Sequence, residues 1–261
     1  MTRVGLRLLS IGAFMALAGL AFAQAPAAAP RSAREAAPVD FTGYWVSPVM
    51  EDYRWRMITP LKGDAASVPI NAAARKIVDA WDPAKDEAAG LQCKAYGAPA
   101  IMRVPGRLRI SWQDNNRLRV ETDAGTQTRI FHFGPITGFD LRAARDWQGF
   151  SVARWWNGTV PPPPGAPLGL LPRGGGRPRT LEVHTENLRA GYLRKNGVPY
   201  SDKTTLTEYY DLFKEPDGET WFTVTTVVTD PVYLAVPFVT TTDFRKEPDG
   251  SKWDPSACTS R

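Results

Sequence analysis

Two side chains of this chain have the types and spacing for acid/base work: the carboxylate of Glu208 and the phenol of Tyr210, two positions apart. They sit in a run where Thr204, Leu206, Glu208, Tyr210 and Leu212 occupy every second position. Period-two patterning marks a half-buried strand, so Glu208 faces the same way as Leu206 and Leu212. A buried carboxylate without partners costs several kcal/mol. Glu208 therefore belongs either to a satisfied structural network, bound by Tyr210, an arginine or backbone amides, or to the wall of a cavity. In a cavity, apolar surroundings favour the protonated acid and suit it to general acid/base catalysis. His132, in Phe131-His132-Phe133, is then the candidate helper; His184 alternates with Val183 and Thr185 and is expected to point outward.

Binding residues are sought around the same wall. Thr226 falls on the inward face of a neighbouring strand, and Asn187 and Arg154 are candidates for orienting the polar end of a ligand. Thr185 and Asn187 equally suit strand-end hydrogen bonds. Trp45, with Trp55 and the Trp155-Trp156 pair, has the apolar bulk that small-molecule sites use. Tyr192, Tyr200 and Asp202 form a polar group expected beside the barrel mouth, although Ser201-Asp202 also fits simple Asx-turn chemistry. Two histidines expected on different faces, together with two cysteines, make a poor metal set, and no metal or other cofactor is expected. There is no Gly-x-Ser-x-Gly elbow, phosphate loop or His-Glu-x-x-His run, which disfavours a serine hydrolase, a nucleotide enzyme and a zinc protease.

The elements that position these residues are nearly all strands. Phe222, Val224, Thr226 and Val228 alternate in one run, and Phe238, Thr240, Thr242 and Phe244 in the next. Upstream, residues 107–112 and 117–122 flank an Asp114-Asn115-Asn116 turn and predict a hairpin. Further strands are expected at 40–46, 128–133, 149–156 and 180–185. One helix is expected, capped by Asn71, running to about Trp81 and stopped by Pro83. Residues 187–202 read as a polar connection, and 157–178, rich in Pro and Gly, as a long mobile loop. The fold class is all-β: an antiparallel, lipocalin-like barrel of about eight to nine strands with one short helix, a single domain over 39–261. Gly43-Tyr44-Trp45 is similar to the Gly-x-Trp of lipocalins, whose tryptophan closes one barrel end.

Compartment follows from the first residues. Arg3 and Arg7, an apolar stretch from Leu8 to Phe22, and Ala21-Phe22-Ala23 have the order of a secretory signal peptide over 1–23. The apolar run is too short for a bilayer span, so no transmembrane anchor is expected after cleavage. Residues 24–38 read as a flexible or extended Ala/Pro linker. Removing the signal leaves 30 Lys+Arg against 27 Asp+Glu, a net charge of +3, without the basic stripe a nucleic acid requires. Cys93 and Cys258 are both exported, which favours a disulfide in an oxidising compartment.

Several stretches, namely Gln92-Cys93-Lys94-Ala95-Tyr96-Gly97, Gly149 to Trp155, Gly191 to Asp202 with Leu206-Thr207-Glu208 after it, Asp230-Pro231 and the terminal Cys258-Thr259-Ser260-Arg261, are similar in type and order to a large family of uncharacterised secreted bacterial proteins. That resemblance implies a calycin-type barrel, exported to the periplasm or medium of a Gram-negative cell, and no established activity. Tyr200 and Phe150 stand where many relatives have histidines, whereas Glu208 stands where the family has its acid. The expected function is an exported lipocalin-like barrel that binds a small, largely apolar or aromatic molecule. The alternatives are a cofactor-independent periplasmic lyase, isomerase or hydrolase using Glu208, and an envelope interaction protein. Oligomeric state is left open.

Overall fold

In the computed structural model, residues 31–48, 52–135, 145–156 and 179–261 are described. The expected signal peptide, residues 24–30 of the linker and the Pro/Gly loop at 157–178 lie outside them. Eleven strands run in chain order among the described residues: β1 (Gly43–Val46), β2 (Arg107–Trp112), β3 (Arg117–Thr122), β4 (Thr128–Phe133), β5 (Phe150–Trp156), β6 (Thr180–Glu186), β7 (Gly191–Arg194), β8 (Val198–Tyr200), β9 (Thr205–Lys214), β10 (Thr220–Thr229) and β11 (Phe238–Glu247). Nine of these close a barrel in the order β1-β11-β10-β9-β6-β5-β4-β3-β2, and β7 and β8 form a separate two-stranded sheet. Closure removes the unpaired edges that an open sheet would present.

Each strand turns its apolar set inward. Phe222, Val224, Thr226 and Val228 of β10 are all buried, as are Leu206, Glu208 and Tyr210 of β9. The barrel is not wholly antiparallel: β4 and β5 pair in parallel, with Phe131 opposite Ser151 and Phe133 opposite Ala153. A parallel joint needs a crossover rather than a hairpin, and the long connection between Phe133 and Phe150 serves as one.

Helical structure is richer than the single expected helix. The turn Ala33–Ala36 (α1) is closed by a capping box between Ser32 and Glu35. Its backbone is tied to Asn115 and Asn116 of the β2–β3 turn, and Ala33 and Val39 pack on the core. Residues 31–38 are therefore seated on the barrel rather than free linker. Tyr53–Arg56 (α2) is one turn. Ala72–Ala80 (α3) begins where expected, with the Asn71 side chain accepting from the Ala73 and Ala74 amides. Pro83 does more than stop α3: with Asp82 as its cap it opens Pro83–Ala88 (α4), since the missing proline N–H costs nothing at a first helical position. A 3₁₀ helix at Gln92–Tyr96 and the turn Ala98–Ile101 (α5) follow.

Two apolar clusters result. One fills the barrel around Trp45, Phe131, Tyr210, Phe222 and Phe244, with Phe41 packed into it. Trp45 is fully buried and donates its indole N–H to the Phe41 carbonyl at 2.8 Å. The second joins Leu206, Val228 and Phe238 of the barrel to Val78, Leu193 and Tyr200 of a layer over one barrel end. The segment expected to be a polar connection is thus a buried hairpin. Its turn needs Gly197, at φ +82°, because a Cβ there would lie 2.2 Å from the Trp81 ring. Cys93 and Cys258, 165 residues apart, bring their sulfurs to bonding distance, 2.06 Å. The described residues form one compact unit.

Candidate functional site

Glu208 lies where the two clusters meet. Along β9, Leu206 belongs to the outer cluster and Tyr210 to the barrel core, with Glu208 between them; along β10, Thr226 separates Val228 from Val224 in the same way. Register places Glu208 directly opposite Thr226 on β10 and Val183 on β6. The carboxylate is fully buried.

Its partner is Arg129 of β4, which reaches across the barrel. Arg129 Nη1 donates to Glu208 Oε1 at 2.9 Å and Nη2 to Oε2 at 2.5 Å, a bidentate pair whose side chains are 1% and 0% exposed. Planar two-point pairing is the strong form of a carboxylate–guanidinium contact. Arg129 Nη2 also donates to Thr185 Oγ1 at 3.3 Å, and the Thr185 and Ser151 hydroxyls lie 2.8 Å apart. Tyr210 donates its hydroxyl to Glu208 Oε1 at 3.2 Å. Burial disfavours the Arg129 cation, but the adjoining Glu208 charge more than offsets this and holds its pKa above the ordinary value. Burial, then the Glu208 charge, push the Tyr210 phenol well above its usual range, so it stays a donor at neutral pH. The surroundings of Glu208 are thus a polar layer rather than an apolar wall.

The other expected residues are dispersed. His132 lies on the outer face of β4, half-buried and stacked on Phe150 at 4.7 Å, on the opposite face from Arg129. Its pKa is lowered, first by burial and then by Arg117. Arg154 is exposed on β5 and pairs with Glu182 at 2.8 Å, away from the interior. Asn187 takes a left-handed turn just after β6, at φ +59°. Asp202 is exposed and pairs with Arg145. Tyr192 donates to Asp86 Oδ2 at 2.9 Å beneath Lys94, and burial and Asp86 raise its pKa. Tyr200 is buried in the outer layer, its hydroxyl against Gly97 and Gly191. Of the residues expected near Glu208, Tyr210, Thr226 and Thr185 share its interior layer.

Arg129 was missing from the sequence expectations, yet a signal for it exists. Arg129, Phe131 and Phe133 alternate on β4, so two inward phenylalanines place the arginine inward as well.

A hollow opens outside the barrel, between α2, the stretch leading into β2, and β7. Trp55, Ile58, Val104 and Leu193 contribute to its apolar lining, and Arg56, Arg103, Arg194 and Lys195 supply its charge. It is a small hollow, and the about 380 Å³ of empty space in and over it includes open solvent. Tyr53, Ile58 and Leu61, all on the segment beside it, are 56%, 51% and 73% exposed. All three arginines are buried. None of this hollow was anticipated from sequence, because its walls come from segments far apart in the chain.

Among the described residues no cluster of three or more His, Cys, Asp or Glu side chains could hold a metal ion, and no helix is long and apolar enough to cross a membrane. No family model, no curated protein and no solved structure matches the chain.

Proposed function

We propose that this chain is an exported small-molecule-binding barrel of the secreted calycin-type family it resembles, with its ligand seated in the hollow between Trp55, Val104 and Leu193. The observation that carries this reading is the hollow itself: apolar side chains, three buried arginines with Lys195, and exposed Tyr53, Ile58 and Leu61 on the adjoining segment. Concave apolar sites with a few placed polar groups are the usual form of a small-molecule site. Export is supported by the charged, apolar and small-residue order of residues 1–23 and by the cysteine pair, which an oxidising compartment would keep closed.

Glu208 serves the fold in this reading. Both of its oxygens accept from Arg129 and neither meets solvent, so a substrate would first have to break a buried ion pair. That speaks against its use as a general acid or base.

Native mass spectrometry of the mature chain, purified without denaturation from a periplasmic extract, tests the proposal. The expected spectrum contains a protein–small-molecule complex that dissociates on denaturation. A protein free of ligand in such preparations, and unmoved in thermal-shift screens of small apolar compounds, overturns the reading.

A further inference from the structure

The charge in the hollow is unbalanced in a specific way. Arg194 is 5% exposed, and among the described residues no carboxylate lies within ion-pair distance of it. Its Nη1 donates to the Ala66 carbonyl at 2.7 Å and its guanidinium lies 5.5 Å from the centre of the Trp55 ring. Its Nε, though buried, has no acceptor. Arg103, 7% exposed, pairs through Nη2 with Asp52 Oδ2 at 2.8 Å, while its buried Nη1 has no acceptor. Arg56 steadies this segment by donating from Nε to the Arg103 carbonyl at 3.2 Å.

Arg103 already has Asp52 as a counter-charge, whereas Arg194, buried beside it, has no carboxylate within ion-pair distance among the described residues, and a buried charge left so is costly unless an anion neutralises it. Burial and the neighbouring Arg103 push the Arg194 guanidinium down to about 10, against the opposing pull of Asp64 and Asp52. Space sets the size of the group. The hollow is small and open to solvent, so its charged part suits a compact oxyanion head. The apolar lining and the exposed Ile58 beside the mouth suit a short hydrocarbon body.

Resting on the proposed binding function, we infer that the hollow is a site for a small organic oxyanion, a carboxylate or phosphate held by Arg103 and Arg194 with its apolar body against Trp55, Ile58 and Leu193. Planar guanidinium donors recognise both oxyanions in a two-point geometry, and Lys195 on the same lining adds a further positive charge.

Calorimetric titration of the mature chain with octanoate, octyl phosphate and octanol separates the possibilities. At least one of the two anions should bind at least about tenfold more tightly than octanol, and the tighter one identifies the head group. Arg194→Met should keep a cooperative thermal transition, lose at least about tenfold in anion affinity and leave octanol binding unchanged. Arg103→Met should do the same and stands in if Arg194→Met does not fold. Octanol binding as tightly as the anions, or anions binding both variants like the wild type, overturns the oxyanion inference while leaving small-molecule binding intact. Failure of all three probes also overturns it, and the binding reading is then judged separately by the native mass spectrum.

Discussion

Replacing Glu208 by glutamine leaves a guanidinium that is 1% exposed facing a neutral amide across the barrel. Glutamine can still accept through one oxygen, but the second charged hydrogen bond from Arg129 and the balancing charge are gone. Breaking a buried pair by removing one partner costs about 3–5 kcal/mol. Most small domains have only about 5–15 kcal/mol in total, so Glu208→Gln should lower the guanidinium-chloride midpoint markedly while remaining folded in buffer. The double change Arg129→Met with Glu208→Leu removes both charges and fills the volume with carbon. Such replacements are often neutral or stabilising, although the Tyr210 and Thr185 hydroxyls would each lose a partner. The double variant should therefore recover most of what the single variant loses. Equilibrium unfolding followed by tryptophan fluorescence reads this directly, provided the slope with denaturant stays constant across variants. If Glu208→Gln costs less than about 1 kcal/mol yet abolishes ligand binding, the structural assignment of Glu208 is refuted and the interior layer becomes the functional site.

Other consequences follow from single contacts. Asp230 is buried and accepts from the Ser201 amide and hydroxyl, the Thr204 hydroxyl and the Val232 and Tyr233 amides; Asp230→Ala should cost at least about 3 kcal/mol in the same unfolding assay. Removing both cysteines, Cys93→Ala with Cys258→Ala, should lower stability by roughly 2–5 kcal/mol, seen as a lower midpoint than that of the oxidised wild type. Arg194 is a base whose folded pKa lies below its unfolded one, pushed down to about 10. It therefore weakens the fold wherever it stays charged when folded, and that penalty fades as pH rises past its folded value. In thermal melts the stability of wild type relative to Arg194→Met should therefore rise as pH increases from about 10 upward.

The barrel was largely legible in the sequence because its strands keep strict alternation: β9, β10 and β11 lie where the residue pattern put them, and Asn71 starts its helix as capping chemistry requires. What escaped notice was either local and overlooked or tertiary and unreadable. Arg129 alternates with Phe131 and Phe133, and Ser32-Ala33-Arg34-Glu35 is a capping box inside an Ala/Pro stretch; both signals are local. The β7–β8 hairpin is too short and its turn too polar, with Arg194, Lys195 and Asn196, to announce itself, and it is buried by the layer that packs around it. The parallel β4–β5 joint depends on a long crossover that no local pattern reveals. Likewise, the meeting of Trp55, Arg103 and Arg194 exists only once the chain has folded.

Amide hydrogen exchange of the mature chain, with and without its co-purifying ligand or a saturating organic oxyanion, locates the site most directly. The account predicts slowed exchange in α2 and the residues after it, in the stretch leading into β2, and in β7, with β4 and β9 unchanged. Protection centred instead on β4, β6 and β9, around Arg129, Thr185 and Glu208, would contradict it.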